Sequence, residues 1–175
     1  YIVAQQGEEA FLIDKHAAHE RVLFDRLRAQ KQEIVSQTLL APQVCRLGQE
    51  GAALVLENLS LLDELGYGVE EFGEGTVLLR QVPMDLSPEQ GADCLTSLAQ
   101  DLQEGRREDR DSLRDNLLHT MACKSAIKGG WKSDERELRV LVDKVQSGEV
   151  RFCPHGRPVA VKLTKYELEK MFKRA

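Results

Sequence analysis

No stretch of this sequence approaches the roughly 18 consecutive apolar residues that a membrane-spanning helix needs, so no membrane segment is expected. Aromatic residues are scarce, 5% of the chain, and positive charge is not in excess: 24 Lys and Arg stand against 29 Asp and Glu, a formal net charge of −5. That balance excludes a protein that coats nucleic acid by charge alone, because non-specific affinity comes from cations neutralising phosphates. A local basic patch stays open. The four cysteines, Cys45, Cys94, Cys123 and Cys153, form no C-x-x-C pair and follow no secretory signal. Reduced thiols or metal ligands in a cytoplasmic setting are therefore expected rather than a disulfide framework. The chain begins Tyr1-Ile2-Val3-Ala4, without an initiator Met, a basic leader or a cleavage site. It reads as the C-terminal piece of something longer. Repeats and low-complexity tracts are absent.

What is present suits a folded domain, or two small ones: 175 residues, 42% hydrophobic and 30% charged. Residues 1–13 predict a hairpin turning at Gly7. A helix follows to about Arg28, with Asp14 at its N-cap. Residues 34–45 look extended, with Pro42 at an edge or strand end. The pattern then predicts a helix over 50–65, strands over 67–72 and 76–82, and a helix over 88–102 capped by Ser87. Helices over 112–128 and 133–146, the second capped by Ser133, lead to strands over 150–152 and 159–163 and a last helix over 165–174. Strands at both ends of the chain need partners. The economical assembly is an α/β fold, of the α+β kind, with 1–36 plus 116–175 as one discontinuous subdomain and 37–115 inserted as an α-β-β-α second one.

Three short clusters could carry chemistry. In Asp14-Lys15-His16-Ala17-Ala18-His19-Glu20, His16 and Glu20 are i and i+4, about 6 Å apart on one helix face, as two ligands of one metal require. H-x-x-H-E is not the H-E-x-x-H of the zincin proteases. The bland reading makes Asp14 a cap and the rest a solvated face. In Phe152-Cys153-Pro154-His155-Gly156-Arg157-Pro158, a turn stiffened by two prolines can aim a thiolate and an imidazole at one spot, a donor pair that suits zinc. An ordinary turn with a buried Cys is the competing reading. Arg157 could grip a phosphate. Near a helix end, Cys123 reads alone as a small buried hydrophobe, and Lys124 and Lys128 add charge that a helix C-terminus favours in any case.

Together these strings resemble a known family. DKHAAHERVLFD, ACKSAIKGG, CPHGRP and YELEKMFKRA occur in this order and spacing in the C-terminal domain of the MutL family of DNA mismatch repair endonucleases. Against the family pattern D-Q-H-A-x-x-E-x-x-x-x-E, the chain matches at Asp14, His16, Ala17 and Glu20. It departs at Lys15, where Gln is usual, and at Asp25, where the last Glu is usual. The resemblance implies a latent, metal-dependent nicking activity on double-stranded DNA, with Asp14, His16 and Glu20 catalytic and with Asp14, His16, Glu20, Cys123, Cys153 and His155 around the metals. Asp25 is a possible further ligand, and Lys124, Lys128 and Arg157 are possible DNA contacts. It implies zinc held by His16, Glu20, Cys153 and His155 with Cys123 close by, and manganese or magnesium on the harder carboxylates, Asp14 among them.

The resemblance also implies that the discontinuous subdomain forms a homodimer, for which the strands Ile2–Ala4 and Val159–Leu163 and the Trp131 region are the expected contact. Gln37-Thr38-Leu39-Leu40-Ala41-Pro42 is similar to the Q-x-x-[LI]-x-P peptide by which such proteins dock on the processivity sliding clamp through Gln37, Leu40 and Pro42. The bland alternative buries Leu39 and Leu40 under an edge strand. ATP control, and contact with the mismatch-recognition protein MutS, would run through an N-terminal domain whose Gly-rich nucleotide motif this chain lacks. The implied setting is the bacterial cytoplasm, at the nucleoid. In the tail from Lys162 on, five basic residues stand against two acidic ones. Such a patch could lie along DNA near the site; the bland reading is a solvated face of an amphipathic helix with Leu168, Met171 and Phe172 turned inward, and both can hold at once. The reading from another class is a non-catalytic dimerisation and matchmaking scaffold with a zinc site used only for folding.

Overall fold

The computed structural model describes residues 1–30, 34–104, 109–126 and 134–174. The expectations for Lys128, the Gly129-Gly130 helix stop, Trp131 and the Ser133 cap lie outside those residues. The fold is of the α+β class, helices with two small antiparallel sheets. It divides into two compact units, one of residues 1–23 with 126–175 and one of residues 24–125. The division falls at 23/24 and 125/126, whereas the sequence expectation drew it at 36/37 and 115/116.

In the first unit, β1 (Ile2–Gln6) and β2 (Glu9–Ile13) form a hairpin, and β6 (Ala160–Thr164) pairs antiparallel with β2, giving the order β1-β2-β6. Gly7 takes φ +62° at the first of two turn positions, the conformation a two-residue loop needs to match the strand twist. One face of the sheet turns to a core of Ile13, Ala18, Leu141, Val145, Val150, Cys153 and Val159. The other carries Val3, Leu12 and Val161 directly opposite one another across the three strands, all exposed, at 77%, 40% and 57%. Helix α1 (Lys15–Ala29) begins in this unit and continues into the second. Helix α6 (Glu135–Gln146) supplies Leu141 and Val145 and is capped by Asp134, whose carboxylate accepts from the Arg136 N–H.

The second unit holds the sheet β3-β5-β4, built from β3 (Ser36–Arg46), β5 (Thr76–Pro83) and β4 (Gly68–Glu71). Helices α2 (Gly48–Glu57), α3 (Leu59–Glu64), α4 (Pro88–Gln103) and α5 (Arg110–Ser125) complete it. Ser87 caps α4 as expected, in a reciprocal capping box with Gln90. Where one helix was expected over 50–65 there are two. Asn58 breaks it, because its side-chain amide donates to the Leu54 carbonyl and so competes with the helical ladder.

Two further expectations are corrected. Residues 150–152 form a single bridge, Phe152 to Pro158, not a strand, since the Val159 carbonyl accepts from the Asp14 N–H and the Val150 N–H donates to the Lys144 carbonyl, so the pairing is not extended. The last helix, α7 (Lys165–Met171), buries no residue, and Met171 and Phe172 are exposed rather than inward. Its seven residues are held by the Thr164–Glu167 capping box, and the left-handed Lys173 follows its end.

Helix α4 lies close on β5 at Gly91, where a methyl group would fall 2.5 Å from Val82 Cγ1. Gly91→Ala is therefore expected to cost about 1–3 kcal/mol of stability by overpacking, read as a lowered urea midpoint. An unchanged midpoint would mean that Val82 gives way freely.

Candidate metal centre

Asp14 ends the hairpin and starts α1. Its Oδ1 accepts from the N–H groups of His16 (3.0 Å) and Ala17 (3.1 Å), satisfying two donors that the first helical turn leaves open. Its own N–H donates to the Val159 carbonyl at 2.8 Å, joining the helix start to the chain that leaves the proline turn. Down the helix, Ala18 enters the core. His16 and Glu20, one turn apart, place ligand atoms within 4.8 Å of one another. Glu20 is 4% exposed and is the one charged residue that is buried among the described residues.

The proline turn is a miniature hairpin. The Cys153 N–H donates to the Arg157 carbonyl at 2.8 Å and the Gly156 N–H to the Cys153 carbonyl at 2.9 Å. Pro154 sits at the second turn position and Gly156, at φ +80°, completes the three-residue loop. The thiol of Cys153 is turned into the core, while His155 stands half-exposed with Nδ1 4.0 Å from Cys153 Sγ and 3.6 Å from Glu20 Oε1. Thus Glu20 is bracketed by two imidazoles, and a thiol lies beside one of them. A carboxylate is not buried without charge or hydrogen-bond compensation. A mixed carboxylate, imidazole and thiol set is what zinc accepts in tetrahedral sites, so these residues fit such an ion.

The remaining candidates are spread more widely. His19 leaves this face and lines a groove of about 330 Å³ with Val22, Arg136, Val140, Leu141 and Lys144. Asp25 is exposed on the part of α1 counted with the second unit. Five residues beyond Glu20, it lies about 140° further round the helix. Cys123 is half-buried on α5. Lys124 pairs with Asp93 at 3.3 Å, and its carbonyl accepts from the Gln90 amide at 2.7 Å. Arg157 is exposed. One residue was not flagged by any motif: His119, set edge-on to Phe24 with ring centroids 5.9 Å apart. The signal that could have found it is its i, i+4 spacing from Cys123, the same interval that separates His16 from Glu20. Cys94, deeper in the second unit, has its thiol pushed up to about 11, chiefly by burial, and is a core residue rather than a ligand candidate.

The docking candidate also takes a defined form. Between the pairs Thr38–Gln81 and Gln43–Leu79 the β3–β5 register shifts, and residues 39–42 bulge outward. Leu40 is fully exposed there, so it does not bury an edge strand.

A two-unit α+β domain with a buried carboxylate beneath a Cys-His hairpin belongs to a class of candidate metalloproteins. Sequence comparison narrows it: residues 1–133 match the family model of the MutL C terminal dimerisation domain, and the chain belongs to that family. Similar proteins include the DNA mismatch repair proteins MutL of Thermoanaerobacter pseudethanolicus (35% identical) and Caldanaerobacter subterraneus subsp. tengcongensis (35%). The same-named protein of Clostridium botulinum strain Kyoto is 34% identical. Each alignment covers 99% of this chain but only 28%, 30% and 27% of the respective relative. The chain thus spans about a quarter to a third of the length of these proteins. No helix among the described residues is long and apolar enough to cross a membrane.

Calorimetric titration of the metal-stripped protein with zinc is expected to find a tight site, absent from the Cys153→Ser/His155→Ala double variant. Equal binding by both proteins would remove the hairpin from the ligand set.

Proposed function

We propose that this chain is a homodimerising, metal-dependent DNA-nicking domain of a mismatch repair protein, acting on double-stranded DNA in the cytoplasm. The observation that carries the reading is the buried Glu20 carboxylate with His155 Nδ1 at 3.6 Å and His16 within 4.8 Å. Asp14, His16, Glu20, Cys153 and His155 would hold the metals, zinc on His16, Glu20, Cys153 and His155 and manganese or magnesium with Asp14. The family pattern adds Cys123 to that set and Asp25 as a further carboxylate. When bound, such ions lower the pKa of a water nucleophile and stabilise the leaving oxygen of a phosphodiester.

The protein's part is to hold the donors in place. Asp14 Oδ1 is fixed by two backbone N–H groups, which leaves the carboxylate one orientation. The hairpin holds Cys153 at the start of a tight turn and His155 within it, with Sγ 4.0 Å from Nδ1. Arg157, exposed on that hairpin, offers a fork to a phosphate, with Lys124 and Lys128 as further DNA contacts. Docking on the sliding clamp through Gln37, Leu40 and Pro42 is supported by the outward bulge and the bare Leu40 side chain. ATP and MutS act through parts of the protein outside this chain.

The membership of Cys153 in the apolar core of the first unit favours a second reading in which zinc serves folding. In that case chelation melts the domain, instead of only silencing it.

Full-length protein with manganese and clamp is expected to relax supercoiled plasmid, and Asp14→Asn or Glu20→Gln to reduce nicking by at least about a hundredfold. A plasmid left supercoiled by the unaltered protein would end the nuclease reading. The homodimer has its own test in the apolar row Val3, Leu12 and Val161, which suits burial against a second copy. Leu12→Glu/Val161→Glu is expected to sediment as a monomer where the parent is a dimer. A dimeric variant would place the contact elsewhere.

A further inference from the structure

The docking segment is not free to dock as it stands. Gln37 is the residue whose side-chain amide would enter a partner's pocket. Its Nε2 already donates to the Leu86 carbonyl at 2.8 Å, in a half-buried setting. Leu86 is itself 2% exposed, so its carbonyl is held where it is by the packing of its own side chain. The short turn that carries it is tied down on both sides. The Leu86 N–H donates to Pro83 and the Met84 N–H to Val35, the residue just before β3. Asp85 pairs with Arg26 of α1 at 2.6 Å. Leu40, three residues past Gln37, has no such restraint and is fully exposed.

We infer that the Gln37–Leu86 hydrogen bond is a latch on the sliding-clamp docking segment: the apolar Leu40 end is presented permanently, while the Gln37 amide must be released from its own protein before it can be given to a partner. This rests on the docking reading given above and adds a regulation to it. Contact begins at Leu40, and the amide then exchanges one carbonyl for another. An exchange of hydrogen bonds yields far less than a new one, because the Leu86 carbonyl is left without its partner in a half-dry site. The latch therefore keeps affinity for the clamp low in the folded protein, and an event that shifts the Pro83–Leu86 turn would raise it.

The test compares one substitution in two settings. Gln37→Ala is made in this protein and in a synthetic peptide of residues 34–46, whose glutamine has no latch, and the Kd of each for purified sliding clamp is measured. In the peptide the substitution removes a whole contact. In the protein it removes that contact and also the need to break the latch. The loss of affinity is therefore expected to be about two- to tenfold smaller in the protein than in the peptide. Equal losses, or a larger loss in the protein, would overturn the latch while leaving docking intact. Leu40→Ala serves as the control in both settings, with an expected large and equal loss. If neither Leu40→Ala nor Gln37→Ala weakens binding in the peptide, it is the docking reading that fails, and the latch with it.

Discussion

The hydrogen bond from the Asp14 N–H to the Val159 carbonyl, 2.8 Å long, is the constraint on which the candidate site depends. It fastens the first residue before α1 to the chain emerging from the Cys-His hairpin, and β2 and β6, which flank the two, are paired residue by residue from Glu9–Thr164 to Ile13–Ala160. With both anchors set, the helix can leave the sheet in only one direction. Glu20, a turn and a half along, then arrives beside His155. Loosening of this junction would separate two halves of the candidate ligand set that lie more than a hundred residues apart in the chain.

The chemistry of the centre follows from burial as much as from residue type. A carboxylate at 4% exposure is an expensive feature, and Glu20 is the one charged side chain buried among the described residues. Imidazoles stand beside it, His155 at 3.6 Å and His16 within 4.8 Å, and the Cys153 thiol lies 4.0 Å from the first of them, a mixture with the softness that divides zinc from harder ions. The same residues thus serve the fold and the proposed activity, which is why the folding and catalytic roles of a metal here must be separated by chelation rather than by inspection.

The two units solve different problems. The first gives one sheet face to its core and leaves an apolar row, Val3, Leu12 and Val161, in solvent, an arrangement suited to a second copy of the chain. The second unit buries Val55, Leu62, Leu79, Leu95 and Leu118 in its own core, and an irregularity of β3 exposes Leu40. Pro42 within that bulge is consistent with its chemistry, since a residue without an N–H is tolerated where the ladder is already interrupted.

By itself the sequence determined whatever depends on neighbours a few residues away. The Asp14 and Ser87 caps, the Gly7 hairpin and the Cys153-Pro154-His155-Gly156 turn are local hydrogen-bonding and φ preferences, and each is found where it was expected. The His16–Glu20 pair followed from the helical period alone. Local signals failed where two of them competed, as at Asn58, whose side chain breaks a helix that periodicity would continue. They failed also at Met171 and Phe172, whose apolar character suggests burial that no other element provides. Only the tertiary structure decided that Glu20 is buried, that His155 reaches it, and that the Gln37 amide is already taken by Leu86. Each of these joins residues far apart in sequence, and such a meeting is fixed by the pairing of β2 with β6 and of β3 with β5, long-range contacts that no window of the sequence contains.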